Sequence, residues 1–216
     1  MTRPGHGHRG PHTPCAAGFR TRSVRSTIIW LVLTGLAAGG EPIRQATDDA
    51  AAAIVRVSGK AGGIIAVVEP TESDLAVALA KRGSFLVHCL TADQKRCDML
   101  RQAIRAEGLY GTVSVSRWEQ TRLPYAGNLI NVVVIPAAGR VVERGLATQE
   151  VERVLAPLGT AFVADPDPAG EGTVKLDDGG RLQPLPVEAG VAWRGFRKPW
   201  PAEIDQWTHY LHGSDG

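Results

Sequence analysis

The chain has 216 residues, of which 44% are hydrophobic and 21% charged, with three cysteines. That is one full domain with extensions and an ordinary core, which excludes a disordered chain and a disulfide-stapled miniature. The formal net charge of +2 misleads, because five arginines and no acid lie in residues 1–40, leaving 19 basic against 22 acidic residues beyond them. An acidic body excludes a general nucleic-acid-binding surface.

Arg20, Arg22 and Arg25 precede a short apolar run from Thr27 to Ala38, and Ala37, Ala38, Gly39 and Gly40 lead into Glu41-Pro42. Positive flank, short apolar stretch and small-residue exit predict a secretory signal peptide, with a mature chain beginning near Glu41. The run is short for a membrane span, which needs about 17–25 apolar residues. The protein is therefore expected to be exported, periplasmic or extracellular, or tethered by an uncleaved signal segment. No cysteine follows the run to carry a lipid. His6, His8 and His12 belong to a Gly- and Pro-rich leader. In an oxidising compartment Cys89 and Cys97 can pair, or both can be buried free thiols.

Beyond the leader, strand and helix alternate. Ile43, Ala46, Ala50, Ile54 and Val57 recur at helical spacing. Ile64 to Val68 is a continuous β-branched run, as in a strand buried on both faces. A helix is predicted over 73–81, a strand over 85–90, and a helix over 93–107 with Met99, Leu100, Ala103 and Ile104 facing inward. Strands follow at 113–115 and 129–135. A helix over 147–155, stopped by Pro157 and Gly159, precedes a strand at 160–163. Five near-continuous apolar strands with intervening helices predict an α/β, Rossmann-like parallel sheet covered on both faces. After Asp165 the texture changes to a loop and a predicted hairpin over 173–180. An extended basic stretch from Arg194 to Pro201 packing its Trp residues, and a short helix over 202–211, complete the chain. The chain thus divides into a leader and signal peptide (1–40), the Rossmann-like domain (41–165) and a hairpin with a Trp-rich C-terminal extension (166–216).

In such sheets ligands sit beyond the carboxyl ends of the strands. The first strand-to-helix turn reads Glu69-Pro70-Thr71-Glu72-Ser73-Asp74 and contains no glycine. A dinucleotide needs glycine there so that backbone amides can approach its pyrophosphate, and three carboxylates would repel the phosphates. A nicotinamide or flavin dehydrogenase is not expected on that ground. S-adenosylmethionine, cationic and free of phosphate, is less incompatible. The simpler role for Thr71 is to cap the helix, with Asp74 completing a capping box.

The stretch from Val113 to Glu119, the segment Leu123-Pro124-Tyr125-Ala126-Gly127-Asn128-Leu129-Ile130-Asn131, and Arg153-Val154-Leu155-Ala156-Pro157-Leu158-Gly159 together resemble class I S-adenosylmethionine-dependent methyltransferases. More closely, the chain resembles the methyltransferase-like domain that precedes a pyrroloquinoline-quinone-type β-propeller in some large exported bacterial proteins. Its closing residues, 198–216, are similar to the junction where such a propeller starts. The resemblance covers about residues 41–216. It implies S-adenosylmethionine as cofactor, with Glu119 near the adenine and Trp118 either stacking on it or packing in the core. The family's glycine-rich first motif stands here as Glu69-Pro70-Thr71-Glu72-Ser73, so Glu69 or Thr71 would occupy part of that site. The family's ribose-binding acid is replaced by Thr91, which offers one hydrogen bond, or by Asp93 if the loop reaches. After the fourth strand, Pro136-Ala137-Ala138 stands where many members place a polar or acidic catalytic group.

Asp205, His209 and His212 fall at i, i+4 and i+7 on the last predicted helix, but Gly213 ends it at once, and they read as a surface cluster rather than a metal site. Two functions are expected from these readings. The first is a methyltransferase-type domain that binds S-adenosylmethionine and transfers its methyl chiefly by positioning, with no acceptor-activating base to name. The second is a non-catalytic interaction module that docks a β-propeller domain or protein through residues 193–212. There Trp193, Phe196, Trp200, Trp207, Tyr210 and Leu211 carry too much apolar surface for a free tail. That tail is expected to pack partly on its own domain, leaving Trp207 or Tyr210 exposed.

Overall fold

The computed structural model describes residues 40–164, 182–185 and 193–202. Helix α1 spans Gly40–Ser58, strand β1 Gly62–Val68, α2 Asp74–Ala80, β2 Ser84–Thr91, α3 Gln94–Ala106 and β3 Val113–Arg117. Then come β4 Ile130–Ile135, α4 Ala138–Glu143, α5 Thr148–Val154, β5 Leu155–Ala164, β6 Gln183–Leu185 and β7 Trp193–Arg197. The seven strands form one sheet in the order β3-β2-β1-β4-β5-β7-β6. The first five are parallel, while β7 runs antiparallel to both β5 and β6. The fold is α/β and Rossmann-like, as expected, and an antiparallel strand stands where the doubly wound order would carry a sixth parallel one.

Alternation along each strand sorts side chains into two layers. Ile65 and Val67 of β1, Val87 and Cys89 of β2, and Val132 and Val134 of β4 meet Ala51 and Ile54 of α1, Leu79 of α2, and Cys97, Leu100 and Ile104 of α3. Ala66, Val68, Leu90, Val133 and Ile135 point the other way, against Val141 of α4, Val151 and Val154 of α5, and Trp118 and Leu123 of the β3–β4 connection. That connection holds no helix. The second face of β2 is consequently open at its start, and Leu86 is 57% exposed.

Several expectations are corrected. Met99 is exposed, because the buried stripe of α3 runs through Cys97, Leu100 and Ile104 at i, i+3 and i+7. Pro157 does not stop α5 ahead of a loop. Strand β5 begins at Leu155, and Pro157 sits in a bulge where Ile130 pairs with Leu155 and Val132 with Thr160. A bulge is where a strand tolerates a residue that cannot donate to the ladder. Leu158 takes a left-handed φ of 60° in that bulge, and a Cβ on Gly159 would lie 2.7 Å from the Ala156 carbonyl oxygen. Helix α4, just after Pro136, was not expected. The basic stretch after Arg194 is strand β7 rather than a linker, with Phe196 buried and Trp193 half-buried against the first layer. Cys89 and Cys97 are both free and buried. The signal segment, the hairpin over 173–180 and the helix over 202–211, with Asp205, Trp207, His209, Tyr210 and His212, lie outside the described residues. No helix among the described residues is long and apolar enough to cross a membrane.

Candidate functional site

The carboxyl ends of β1, β2, β3 and β4 open on one side of the sheet, where a cleft of about 340 Å³ is lined by Glu69, Ala92, Asp93, Arg96, Arg140 and Arg144. Glu69 ends β1 in a left-handed conformation, φ 53°, with its amide donating to the Leu90 carbonyl at 2.8 Å. This turn folds the side chain back into the protein, where the residue is 4% exposed. Its Oε1 accepts from the Ala92 amide at 2.9 Å and its Oε2 from the Thr91 hydroxyl at 3.3 Å. Arg144, just beyond α4, brings Nη1 to 3.8 Å from Glu69 Oε1.

The same guanidinium lies over Trp118, its carbon 4.8 Å from the ring centroid, and donates from Nη2 to the Trp118 carbonyl at 2.7 Å. Trp118 is 4% exposed, and its indole N–H donates to the Arg122 carbonyl at 2.8 Å. Arg144 thus spans from the end of β1 to the end of β3. Its own Nε is buried without a hydrogen-bond partner.

The residues expected to hold a cofactor are therefore only partly assembled. Glu69, Thr91 and Trp118 come together, but each is already engaged inside the protein. Asp93 is exposed and caps α3, accepting from the Lys95 amide at 2.9 Å. Glu119 is exposed and paired with Arg117. Thr71 is exposed and caps nothing: Ser73 is the N-cap of α2, with no side-chain cap bond, and the expected capping box is absent. The reason is local. Ser73 takes helical angles, φ −77° and ψ −23°, which turn its hydroxyl towards Asp74 Oδ1 at 3.4 Å instead of the following amides. Among the described residues no group of three or more metal-ligating side chains is found.

Sequence reasoning missed two features. Arg144 carried no signal, since nothing in a lone arginine after an unpredicted helix marks it as crossing the sheet. The second is a chain of three side chains on the open face of β2. His88 Nε2 lies 2.8 Å from Ser116 Oγ and His88 Nδ1 2.9 Å from the Tyr125 hydroxyl. Burial pushes the His88 pKa down and the Tyr125 phenol up, so both stay neutral near pH 7.

These residues do not fit S-adenosylmethionine as they stand. A carboxylate facing the ribose diol, a free aromatic face and a glycine turn are each missing, and the guanidinium of Arg144 fills the gap between Glu69 and Trp118. No protein-family model and no curated protein matches the chain. Solved structures do. A protein of Methanococcus maripaludis assigned as an S-adenosyl-L-methionine-dependent methyltransferase aligns over 74% of this chain and 88% of its own, with a TM-score of 0.60 and 14% identity. A geranyl diphosphate methyltransferase, solved in complex with S-adenosylmethionine, aligns over 70% of this chain and 85% of its own, with a TM-score of 0.54 and 10% identity. A methyltransferase of Aquifex aeolicus dependent on the same cofactor aligns over 63% and 81%, with a TM-score of 0.50 and 16% identity. The architecture is the Rossmann-like fold of S-adenosylmethionine-dependent methyltransferases. At these identities the likeness concerns the fold, and function rests on the site.

Proposed function

We propose that this methyltransferase-like chain works as a non-catalytic interaction module. The observation that carries this reading is the span of Arg144 across the strand ends, with Glu69 and Trp118 both spent on it. A buried carboxylate paired to a guanidinium and an aromatic ring under the same guanidinium are not free to recognise a nucleoside. The partner, on this reading, is a β-propeller domain or protein, and the chain acts outside the cytoplasm. The resemblance of residues 198–216 to a propeller junction and the signal-like segment before Glu41 support both points. Within the described part of the tail, Trp193 and Phe196 belong to the sheet, and Trp200 is 44% exposed.

A second reading, retained binding of S-adenosylmethionine, is favoured by the cleft at the strand ends. Calorimetric titration of the full chain separates the two. Absence of heat at millimolar S-adenosylmethionine is expected. Micromolar binding that Glu119→Ala weakens would overturn the module reading in favour of the enzyme.

A further inference from the structure

Among the described strands β3 is an edge of the sheet, and this edge carries a feature that neither reading uses. In the parallel ladder Val87 donates to the Thr112 carbonyl and Trp118 donates to the Thr91 carbonyl, at 2.9 and 2.8 Å. This register turns the peptide groups of Ser114 and Ser116 towards β2 and those of Val113, Val115 and Arg117 outward. The outward Val113 amide is spent on the Leu109 carbonyl at 2.9 Å. The outward Val115 carbonyl is met by a side chain: Arg101 donates to it from Nε at 3.1 Å and Nη2 at 2.9 Å. A guanidinium there occupies the position that the amide of a further strand would take. The Val115 amide beside it has no partner among the described residues.

A groove of about 400 Å³ runs along this edge, lined by Arg101, Ile104, Arg105, Tyr110, Val113 and Val115. Its wall is Tyr110, 70% exposed, with the Arg105 guanidinium carbon 5.1 Å from the ring centroid. Arg101 shares Asp98 at 3.4 Å, whereas Arg105 has no acidic partner among the described residues. The groove is thus a partly apolar slot with an uncompensated positive charge, beside main-chain groups facing outward.

We propose that an extended acidic peptide segment of another protein docks here by adding a strand to the free edge of β3. The Val115 amide would donate to a carbonyl of the segment and so supply the register, while the Val115 carbonyl keeps Arg101. An acidic side chain would take Arg105, and a β-branched one would lie against Tyr110. The site lies at the far edge of the sheet from β7 and does not depend on whether the strand ends hold a cofactor.

The test uses the full chain and a fluorescein-labelled, end-capped peptide of sequence Glu-Val-Glu-Val-Thr-Val. Saturable binding by anisotropy is expected, with protection of the Val115 amide from hydrogen exchange. Val115→Pro deletes the outward amide and keeps the bonds to β2, with loss of the buried Val115 side chain besides, and it should weaken binding at least about tenfold, as should Arg105→Glu. Should Val115→Pro fail to fold, the same peptide N-methylated at alternate residues, tested in both frames against the unaltered chain, probes the same strand pairing from the other side. Absence of binding overturns the proposal. So does equal binding of a peptide with Lys in place of Glu, or binding indifferent to both Arg105→Glu and the loss of the main-chain donor. A dimer in sedimentation that Val115→Pro dissociates would assign the edge to a second copy and likewise overturn it.

Discussion

Arg144→Ala removes an ion pair, a hydrogen bond and a ring contact together, and leaves the Glu69 carboxylate buried with only neutral donors. Loss of one partner of a buried pair outweighs the modest worth of the contacts themselves, so a cost of roughly 2–4 kcal/mol is expected in urea unfolding. Arg144→Lys keeps the charge but not the fork and should recover part of that. His88 gives a pH signature. Its pKa lies below the ordinary 6.5 through burial, so on acidification the unfolded chain takes up this proton first. Stability is then whole above about pH 6.5 and declines as pH falls through the window just below it. Measured between pH 7 and 5, above the range where Glu107 and Glu150 titrate, the decline should flatten in His88→Gln. Burial also pushes the Cys89 thiol up to about 12 and raises that of Cys97. In a Cys15→Ser background a thiol reagent at pH 8 should label neither in the folded protein and both in guanidinium chloride.

Among the elements, β7 is held by its ladder with β5 and, just past its end, by the Lys198 side chain. Lys198 Nζ donates to Asn128 Oδ1 at 2.7 Å and to the Glu152 and Leu155 carbonyls at 2.8 and 2.9 Å. Lys198→Met removes three hydrogen bonds, two of them to main-chain carbonyls, and should cost roughly 2–3 kcal/mol, with hydrogen exchange rising in β7 before β1. The elements legible in the sequence were those with an undivided apolar run or a clear stripe, such as β1, β4 and α3. Strand β7 was not, because Trp-Arg-Gly-Phe-Arg alternates charge with bulk and its burial comes from pairing with β5, which no local pattern announces. Helix α4 is six residues long and has no side-chain cap bond, so it left no start signal. The candidate site was legible as a list and not as a geometry. Glu69, Thr91 and Trp118 were named, but their engagement depends on Arg144, supplied by an element the sequence concealed.

For the whole molecule, the place of β7 makes a firm expectation. A chain ending at Val191 removes the strand between β5 and β6, and with it the buried Phe196 and half-buried Trp193. Burial of one such ring is already worth about 3–5 kcal/mol, so thermal unfolding of the shortened chain should begin well below that of the full one, if it folds cooperatively at all.

That same strand order also sets a schedule. Chain growth delivers β5 and then β6, yet β6 has no strand to pair with until β7 has been made. Ala164 and Arg197, the ends of β5 and β7, are 33 residues apart, so at about 5–20 residues per second the outer edge of β5 waits roughly 2–7 s for its cover. Through that interval the nascent chain displays an unpaired row of Thr160, Ala161, Phe162 and Val163. A holding chaperone would act on this protein at that step.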